Sequence, residues 1–183
     1  AQVYAKDISI DAEGKPSFTL CTLKGEQTCS LVLRGEHNVH NACAAAALGY
    51  VCGISLEKII EGLEASLPEV GRQEINTNAD GVLVINDAYN ANPDSMRASL
   101  STFASMDVSG KRIAVLGDMG ELGDFAQACH EGIGKVIAEL PIDYLLCIGE
   151  LAGYIASAAL ESGFPRDRIE TTLSKGEALG ILE

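Results

Sequence analysis

The sequence is short of basic residues, of paired cysteines and of long apolar runs, and each shortage excludes a class of protein. It has 13 lysines and arginines against 26 aspartates and glutamates, which gives a formal net charge of −13. Because nucleic-acid backbones are bound by clustered lysine and arginine, we expect no nucleic-acid partner. No apolar run approaches the roughly 20 residues that span a bilayer. The first residues, AQVYAKDISID, also lack the basic and apolar segments of a signal peptide, so we expect no membrane insertion.

The six cysteines and three histidines form no disulfide or metal-binding pattern. No C-x-x-C pair occurs, and segments such as NACAAAALGYVCG and YLLCIG surround their cysteines with apolar residues. Disulfide frameworks and zinc sites favour tighter, paired spacings. We therefore expect small buried thiols in a reducing cytoplasm, and no metal site in this chain.

A phosphate-binding loop of the Walker type is also missing. Each Gly-Lys pair, at 14–15, 110–111 and 134–135, lacks the glycine five positions earlier that this loop requires. The glycines of VLGDMGELG fall at 117, 120 and 123, which is G-x-x-G-x-x-G and not the dinucleotide-binding G-x-G-x-x-G. This segment predicts a tight strand-to-helix turn and little more.

The chain has the composition of a folded globular protein, with 47% hydrophobic and 21% charged residues. Residues 1–35 alternate between apolar and polar side chains, which predicts β-strands. The next segment predicts an alanine-rich helix that ends at Gly53 and a second helix that is capped by Ser55 and terminated by Pro68. The first part of the chain therefore combines strands and helices in an α+β arrangement.

After residue 70 the pattern changes to apolar strands that are each followed by a helix. The strands are GVLVIN, KRIAVLG, IDYLLCIG and RIETTL. This order indicates an α/β fold with a doubly wound, mainly parallel (Rossmann-like) sheet that is covered on both faces. We predict an α+β portion over 1–70 and the doubly wound domain over 71–183. A capping box at 174–177 predicts a helix close to the end of the sequence, so we expect this domain to be truncated and the chain to be a fragment of a larger protein.

Polar side chains crowd into DAYNANPDSM, residues 87–96, directly after a predicted strand. Ligands of open parallel sheets lie beyond the carboxyl ends of the strands. Asn92 can cap the next helix, with Pro93 and Asp94 in its first turn, and this leaves Asp87, Tyr89 and Asn90 unexplained. A carboxylate at such a position commonly accepts hydrogen bonds from a ribose, so a ligand-binding turn and an ordinary capped turn are both open.

Two further segments have both a structural and a functional interpretation. In GEHNVHNACAAAA, Asn38 could cap the helix beside solvated histidines, or Asn38 and Asn41, three residues apart on one helix face, could present amides to a planar base. Arg72 could be a solvated surface arginine, or it could reach a phosphate held by another domain.

Together these segments resemble the Mur ligase family, ATP-dependent amide-forming enzymes of peptidoglycan synthesis. GEHNVHNACAAAALG (35–49) looks like the central-domain segment G-x-H-N-x-x-N-A-x-A-A, and VGRQE (70–74) looks like the junction into the C-terminal domain. INDAYNANPDSM (85–96) and VLGDMGELG (115–123) look like the branch that adds D-alanyl-D-alanine. Sibling ligases carry a lysine or a histidine in the turn after the aspartate.

The resemblance implies a role for four residues in nucleotide binding. Asn38 and Asn41 would face the adenine of ATP, and Asp87 would bind the ribose hydroxyls. Arg72 would be the catalytic arginine that reaches toward the terminal phosphate. The phosphate loop and the Mg²⁺ ligands of the family would lie outside this chain.

The resemblance also implies the substrates. ATP would phosphorylate the carboxylate of a UDP-N-acetylmuramoyl-tripeptide, and the amine of D-alanyl-D-alanine would displace the phosphate. Tyr89, Asn90 and Asn92 would line the cleft where nucleotide and dipeptide meet. Residues 1–183 alone are expected to be inactive. The alternatives are a sibling amide ligase such as folylpolyglutamate synthase, and a non-catalytic nucleotide-binding or regulatory module.

Overall fold

The computed structural model describes residues 2–182, which fold into two compact units. The first unit extends to Tyr89 and includes Ser105–Asp107, and the second comprises Asn90–Ala104 and the residues from Val108 onward. The predicted division at residue 70 stays a prediction, because this separation into compact units concerns packing and not domain identity.

The first unit contains a three-stranded antiparallel sheet and two helices. Its strands are β1 (Tyr4–Ile10), β2 (Pro16–Thr22) and β3 (Gly25–Ser30), with β2 in the centre. Helices α1 (His37–Val51) and α2 (Leu56–Glu64) follow. The side chains that form the core between sheet and helices include Phe18, Leu20, Cys29, Val39 and Ala46.

The ends of these two helices agree with the local chemistry of the sequence. Gly53, with a φ of +79°, follows α1, where the left-handed conformation suits a residue without a Cβ atom. The Ser55 hydroxyl accepts a hydrogen bond from the Lys58 N–H at 3.4 Å and caps α2. Helix α2 ends at Glu64, before the proline that was expected to terminate it.

A two-stranded antiparallel hairpin completes the first unit. Strands β4 (Glu74–Thr77) and β5 (Leu83–Asn86) pair with Glu74 opposite Asn86. Strand β5 was expected in the parallel sheet, and this prediction is wrong. The turn explains why: Asn78 Oδ1 accepts the N–H groups of Asp80 and Val82, and Gly81 has a φ of +82°, which favours a tight hairpin over a crossover connection.

The second unit contains the parallel sheet. Strands β6 (Ile113–Gly117), β7 (Tyr144–Ile148) and β8 (Ile169–Thr172) lie side by side in that order. Its helices are α3 (Pro93–Ser105), α4 (Ala126–Glu139), α5 (Ala152–Glu161) and α6 (Lys175–Leu182). The predicted α/β class with a mainly parallel sheet is confirmed.

The core of the second unit forms around β7 and the facing helices α4 and α5. Fully buried side chains there include Ile133, Ile137, Leu145, Leu146 and Ile155. Helix α4 approaches α5 so closely that a Cβ atom on Gly134 would lie 2.3 Å from the Ile155 carbonyl oxygen. None of the helices within residues 2–182 is both long and apolar enough to cross a bilayer.

Cysteine burial follows the expectation only in part. Cys21, Cys29 and Cys147 are buried, Cys43 and Cys129 are half-buried, and Cys52 is exposed. Burial raises the pKa of the Cys29 thiol to about 11 and that of Cys147 to about 12. These two thiols are therefore protonated at neutral pH and behave as small apolar side chains.

Candidate functional site

The open end of the β4–β5 hairpin brings Arg72 and Asp87 together. Arg72 lies two residues before β4, and Asp87 directly follows β5. The Gln73 N–H donates to Asp87 Oδ1 at 3.1 Å, and the Tyr89 N–H donates to the Gly71 carbonyl oxygen at 3.0 Å. Two hydrogen bonds beyond the strand pairing thus join the segments that carry the predicted phosphate and ribose ligands.

The segment before β4 is a tight turn with unusual backbone angles. Gly71 has a φ of +73° and Gln73 a φ of +48°, so two residues flanking Arg72 are left-handed. This conformation costs little at glycine but is strained at glutamine. The Arg72 N–H donates to the Glu69 carbonyl oxygen at 2.9 Å, and the Gly71 N–H to Glu74 Oε2 at 3.3 Å.

The guanidinium of Arg72 lies over the ring of Tyr89. The guanidinium carbon is 4.2 Å from the ring centroid, and Arg72 Nε is 3.6 Å from Glu69 Oε2. Both partners remain accessible, because the Arg72 side chain is 53% exposed and Tyr89 is 64% exposed. Arg72 is therefore held by two neighbours while it still faces solvent.

The two asparagines at the start of α1 are hydrogen-bonded to each other. Asn38 Nδ2 donates to the Arg34 carbonyl oxygen at 2.7 Å, and Asn41 Nδ2 donates to Asn38 Oδ1 at 3.0 Å. Asn38 is buried, whereas Asn41 is exposed. The hypothesis that Asn38 caps the helix is wrong, because α1 begins at His37 with Glu36 at the cap position. The buried amide of Asn38 instead accepts a hydrogen bond from the exposed amide of Asn41 and so orients it.

His37 connects these asparagines to the turn that carries Arg72, a contact that the sequence did not predict. Its Nε2 atom lies 3.2 Å from Asn38 Nδ2 and 3.5 Å from Gln73 Nε2. Burial lowers the pKa of His37, the Asp87 carboxylate raises it, and His40 lowers it further. His37 is half-buried, so the suggestion that it is simply solvated is wrong. The sequence shows only that His37 and Asn38 are adjacent, and it does not show the contact with Gln73.

Asn90 and Asn92 belong to the second unit, and both are exposed. Asn92 Oδ1 accepts the Ser95 N–H at 2.8 Å, while Ser95 Oγ accepts the Asn92 N–H at 3.1 Å. This reciprocal pair caps α3 and confirms the structural interpretation of Asn92. Asn90 Oδ1 accepts the N–H of Ala91 at 2.9 Å. Their contacts with a substrate stay a prediction.

The glycine-rich segment after β6 is occupied by structural contacts. Asp118 Oδ1 accepts the Ala152 N–H at 2.7 Å at the start of α5. Met119 is buried, and its N–H donates to Nε2 of the buried His130 at 2.9 Å. His130 Nδ1 in turn donates to the Ala126 carbonyl oxygen at 2.6 Å. The prediction of a tight strand-to-helix turn agrees with this arrangement.

Comparison with known proteins identifies the family of this chain. Residues 71–182 match the family model described as Mur ligase, glutamate ligase domain, which is more than half of the 183 residues. The chain belongs to the Mur ligase family.

Individual family members are similar to the chain over nearly its whole length. The UDP-N-acetylmuramoyl-tripeptide–D-alanyl-D-alanine ligase of Bacillus subtilis (strain 168) is 39% identical over 175 residues, covering 95% of this chain and 37% of the relative. Crystal structure I of MurF from Acinetobacter baumannii has a TM-score of 0.86 at 38% identity and covers 99% of this chain and 38% of that one. The MurF ligase of Thermotoga maritima, solved in complex with ADP, shares the fold with a TM-score of 0.75 at 24% identity, over 99% of this chain and 39% of that one.

The chain spans less than half the length of each of these Mur ligases. Within residues 2–182, no group of three or more histidine, cysteine, aspartate or glutamate side chains could hold a metal ion. The Mg²⁺ ligands are predicted to lie outside this chain.

Proposed function

We propose that this chain supplies the nucleotide-facing residues of an ATP-dependent ligase that joins D-alanyl-D-alanine to a UDP-N-acetylmuramoyl-tripeptide. The observation that carries the proposal is the hydrogen-bonded group in which His37 joins the asparagines of α1 to the turn of Arg72 and Asp87. The similarity to the Bacillus subtilis ligase across 95% of the chain supports the choice of this family branch.

Asn41 and Asn38 have different parts in the proposed site. Asn41 is exposed and offers an amide, with both donor and acceptor, to the edge of the adenine base. Asn38 is buried, and its carboxamide already bonds to Arg34 and Asn41. Asn38 therefore supports the base contact by fixing the orientation of Asn41.

Asp87 and Arg72 bind the remainder of the nucleotide. One carboxylate oxygen of Asp87 accepts the Gln73 N–H, which orients the side chain and leaves the second oxygen for the ribose hydroxyls. The exposed guanidinium of Arg72 reaches toward the terminal phosphate, where a planar cation can donate two hydrogen bonds. ADP in the Thermotoga maritima structure is consistent with a nucleotide as the ligand of this fold.

The reaction places negative charge on phosphate oxygens twice. A tripeptide carboxylate oxygen attacks the terminal phosphorus of ATP and releases ADP, and the amine of D-alanyl-D-alanine then attacks the acyl carbon and expels phosphate. Arg72 stabilises the phosphoryl charge, and the enzyme gains rate mainly by positioning the reactants. Asn90 and Asn92 are proposed to line the dipeptide side of the cleft. The cytoplasm is the proposed location.

An acceptor assay with the full-length protein that contains this chain tests the proposal. We expect phosphate release from ATP that requires both the UDP-linked tripeptide and D-alanyl-D-alanine. Glutamate with a folate acceptor replaces these substrates in a parallel reaction and should give no release. Activity only with glutamate and folate would establish the sibling ligase instead, and ATP binding without any turnover would establish a binding module.

A further inference from the structure

The contact between Arg72 and Tyr89 assigns Tyr89 a role that differs from its predicted one. From the sequence, Tyr89 is expected to line the dipeptide side of the cleft. In the structure, its ring is engaged by the guanidinium of Arg72, at 4.2 Å from the ring centroid. We propose that Tyr89 is a positioning residue for Arg72 and acts on the ATP side of the reaction.

The backbone fixes the geometry of this stack. The hydrogen bond from the Tyr89 N–H to the Gly71 carbonyl oxygen places the tyrosine beside the residue before Arg72. A Cβ atom on Gly71 would lie 3.6 Å from Tyr89 Cβ and from the Tyr89 nitrogen, so the two segments are in close contact. The second bond, between the Gln73 N–H and Asp87, prevents the segments from sliding past each other.

Arg72 needs such support because its immediate surroundings are open. An exposed arginine has many accessible rotamers, and ordering it costs conformational entropy. Glu69 offers only an exposed ion pair at 3.6 Å, which contributes little to orientation. A guanidinium that lies flat on an aromatic ring directs its N–H groups outward, parallel to the ring face, where they remain free to bind phosphate oxygens.

The tyrosine hydroxyl is not required for this role, and a matched set of variants exploits that fact. Tyr89→Leu removes the ring, Tyr89→Phe keeps it, and Tyr154→Leu alters another exposed tyrosine as a control. Each variant is made in the full-length ligase, its fold is checked by thermal unfolding, and KM is measured separately for ATP and for D-alanyl-D-alanine.

We expect Tyr89→Leu to lower kcat/KM for ATP by about two- to fivefold, the effect of losing an exposed cation–π contact, with the KM for D-alanyl-D-alanine unchanged. Tyr89→Phe should keep the wild-type values of KM and kcat/KM for ATP. The double variant Arg72→Ala/Tyr89→Leu should be no worse than Arg72→Ala alone, because Tyr89 acts through Arg72.

The inference rests on the proposed function, and the two fail differently. A wild-type enzyme that releases no phosphate overturns both. If the wild type is active, a rise in KM for D-alanyl-D-alanine in Tyr89→Leu with unchanged ATP parameters overturns the positioning role alone. Effects of Arg72→Ala and Tyr89→Leu that multiply would also overturn it.

Discussion

Asp87 has two hydrogen-bonding tasks in the proposed site, and they involve different oxygens. One oxygen accepts the Gln73 N–H at 3.1 Å and thereby fixes the turn that carries Arg72. The other is available to the ribose. Loss of the side chain therefore affects the nucleotide directly and the arginine turn indirectly, whereas loss of the charge alone leaves an acceptor for Gln73.

In the full-length ligase, Asp87→Ala should raise the KM for ATP by roughly ten- to a hundredfold, since a hydrogen bond to a charged group contributes about 1.5–3 kcal/mol. Asp87→Asn should have a smaller effect because it keeps an acceptor. Asp80→Ala, in the turn of the same hairpin, is the matched control. Steady-state kinetics with ATP varied decide the matter, and unchanged ATP kinetics in Asp87→Ala would remove Asp87 from the site.

His37 is expected to make the stability of the first unit depend on pH. Burial lowers its pKa below the ordinary value of 6.5, so between the folded and unfolded pKa values the unfolded chain binds more protons. The contribution of His37 to folding is complete above the unfolded pKa and is lost as the pH falls through the folded pKa.

We expect the free energy of unfolding to fall between about pH 7.5 and 5.5, and His37→Gln should reduce this fall. Urea denaturation at both pH values measures it. His40→Gln removes a charge that lowers the pKa of His37, and it should therefore reduce the fall less than His37→Gln does. An identical fall in wild type and His37→Gln would contradict the assignment.

The sequence could indicate Asn38, Asn41 and Asp87 because amides and carboxylates at strand and helix ends are recognisable by type and spacing. It could not indicate how they are connected. The contact of His37 with Gln73 depends on two segments 36 residues apart, and a left-handed Gln73 follows no local rule. Glu69 lies only three residues before Arg72, but an exposed charge pair at this spacing carries no functional signal in the sequence.

At the scale of elements, the hairpin was the main error in the fold. An apolar segment such as GVLVIN fits a buried parallel strand or an antiparallel one, and periodicity alone does not distinguish them. The segment NADG before it carried the missing signal, because Asp-Gly between two strands is typical of a hairpin. The helices were predicted well, since their caps, such as Ser55 and Asn92, are local features.

The close packing of α4 on α5 depends on Gly134. A Cβ atom there would lie 2.3 Å from the Ile155 carbonyl oxygen and 2.8 Å from the Ala159 nitrogen, and backbone atoms cannot give way cheaply.

We therefore expect Gly134→Ala to destabilise the protein by about 1–3 kcal/mol or more through overpacking. Gly153→Ala is the matched control, because a Cβ atom at Gly153 in α5 meets nothing within 4 Å. Gly153→Ala should stabilise the protein by up to about 1 kcal/mol, because alanine has the higher helix propensity. Denaturant unfolding compares the two, and equal stability would show that the helices can separate at no cost.

At the scale of the whole molecule, composition and segment order predicted the fold class because parallel strands and their helices alternate regularly along the chain. Family membership was predicted from segments such as INDAYNANPDSM, whose polar residues are expected to bind a ligand. The division of the chain into units could not be deduced, since it depends on how tightly non-local segments pack.

The isolated chain should not turn over ATP. Its sequence has no Walker-type phosphate loop, and no three-ligand metal group occurs within residues 2–182. We expect purified residues 1–183 to release no phosphate from ATP in the presence of D-alanyl-D-alanine and the UDP-linked tripeptide. The full-length ligase is the positive control, and dipeptide-dependent release by the isolated chain would contradict this.

The most direct measurement is a crystal structure of the full-length ligase with a non-hydrolysable ATP analogue. We predict Asn41 within hydrogen-bond distance of the adenine, the free oxygen of Asp87 on a ribose hydroxyl, and Arg72 directed at the terminal phosphate from its stack on Tyr89. A nucleotide bound without contact to Asn41 and Asp87 would contradict the proposed site.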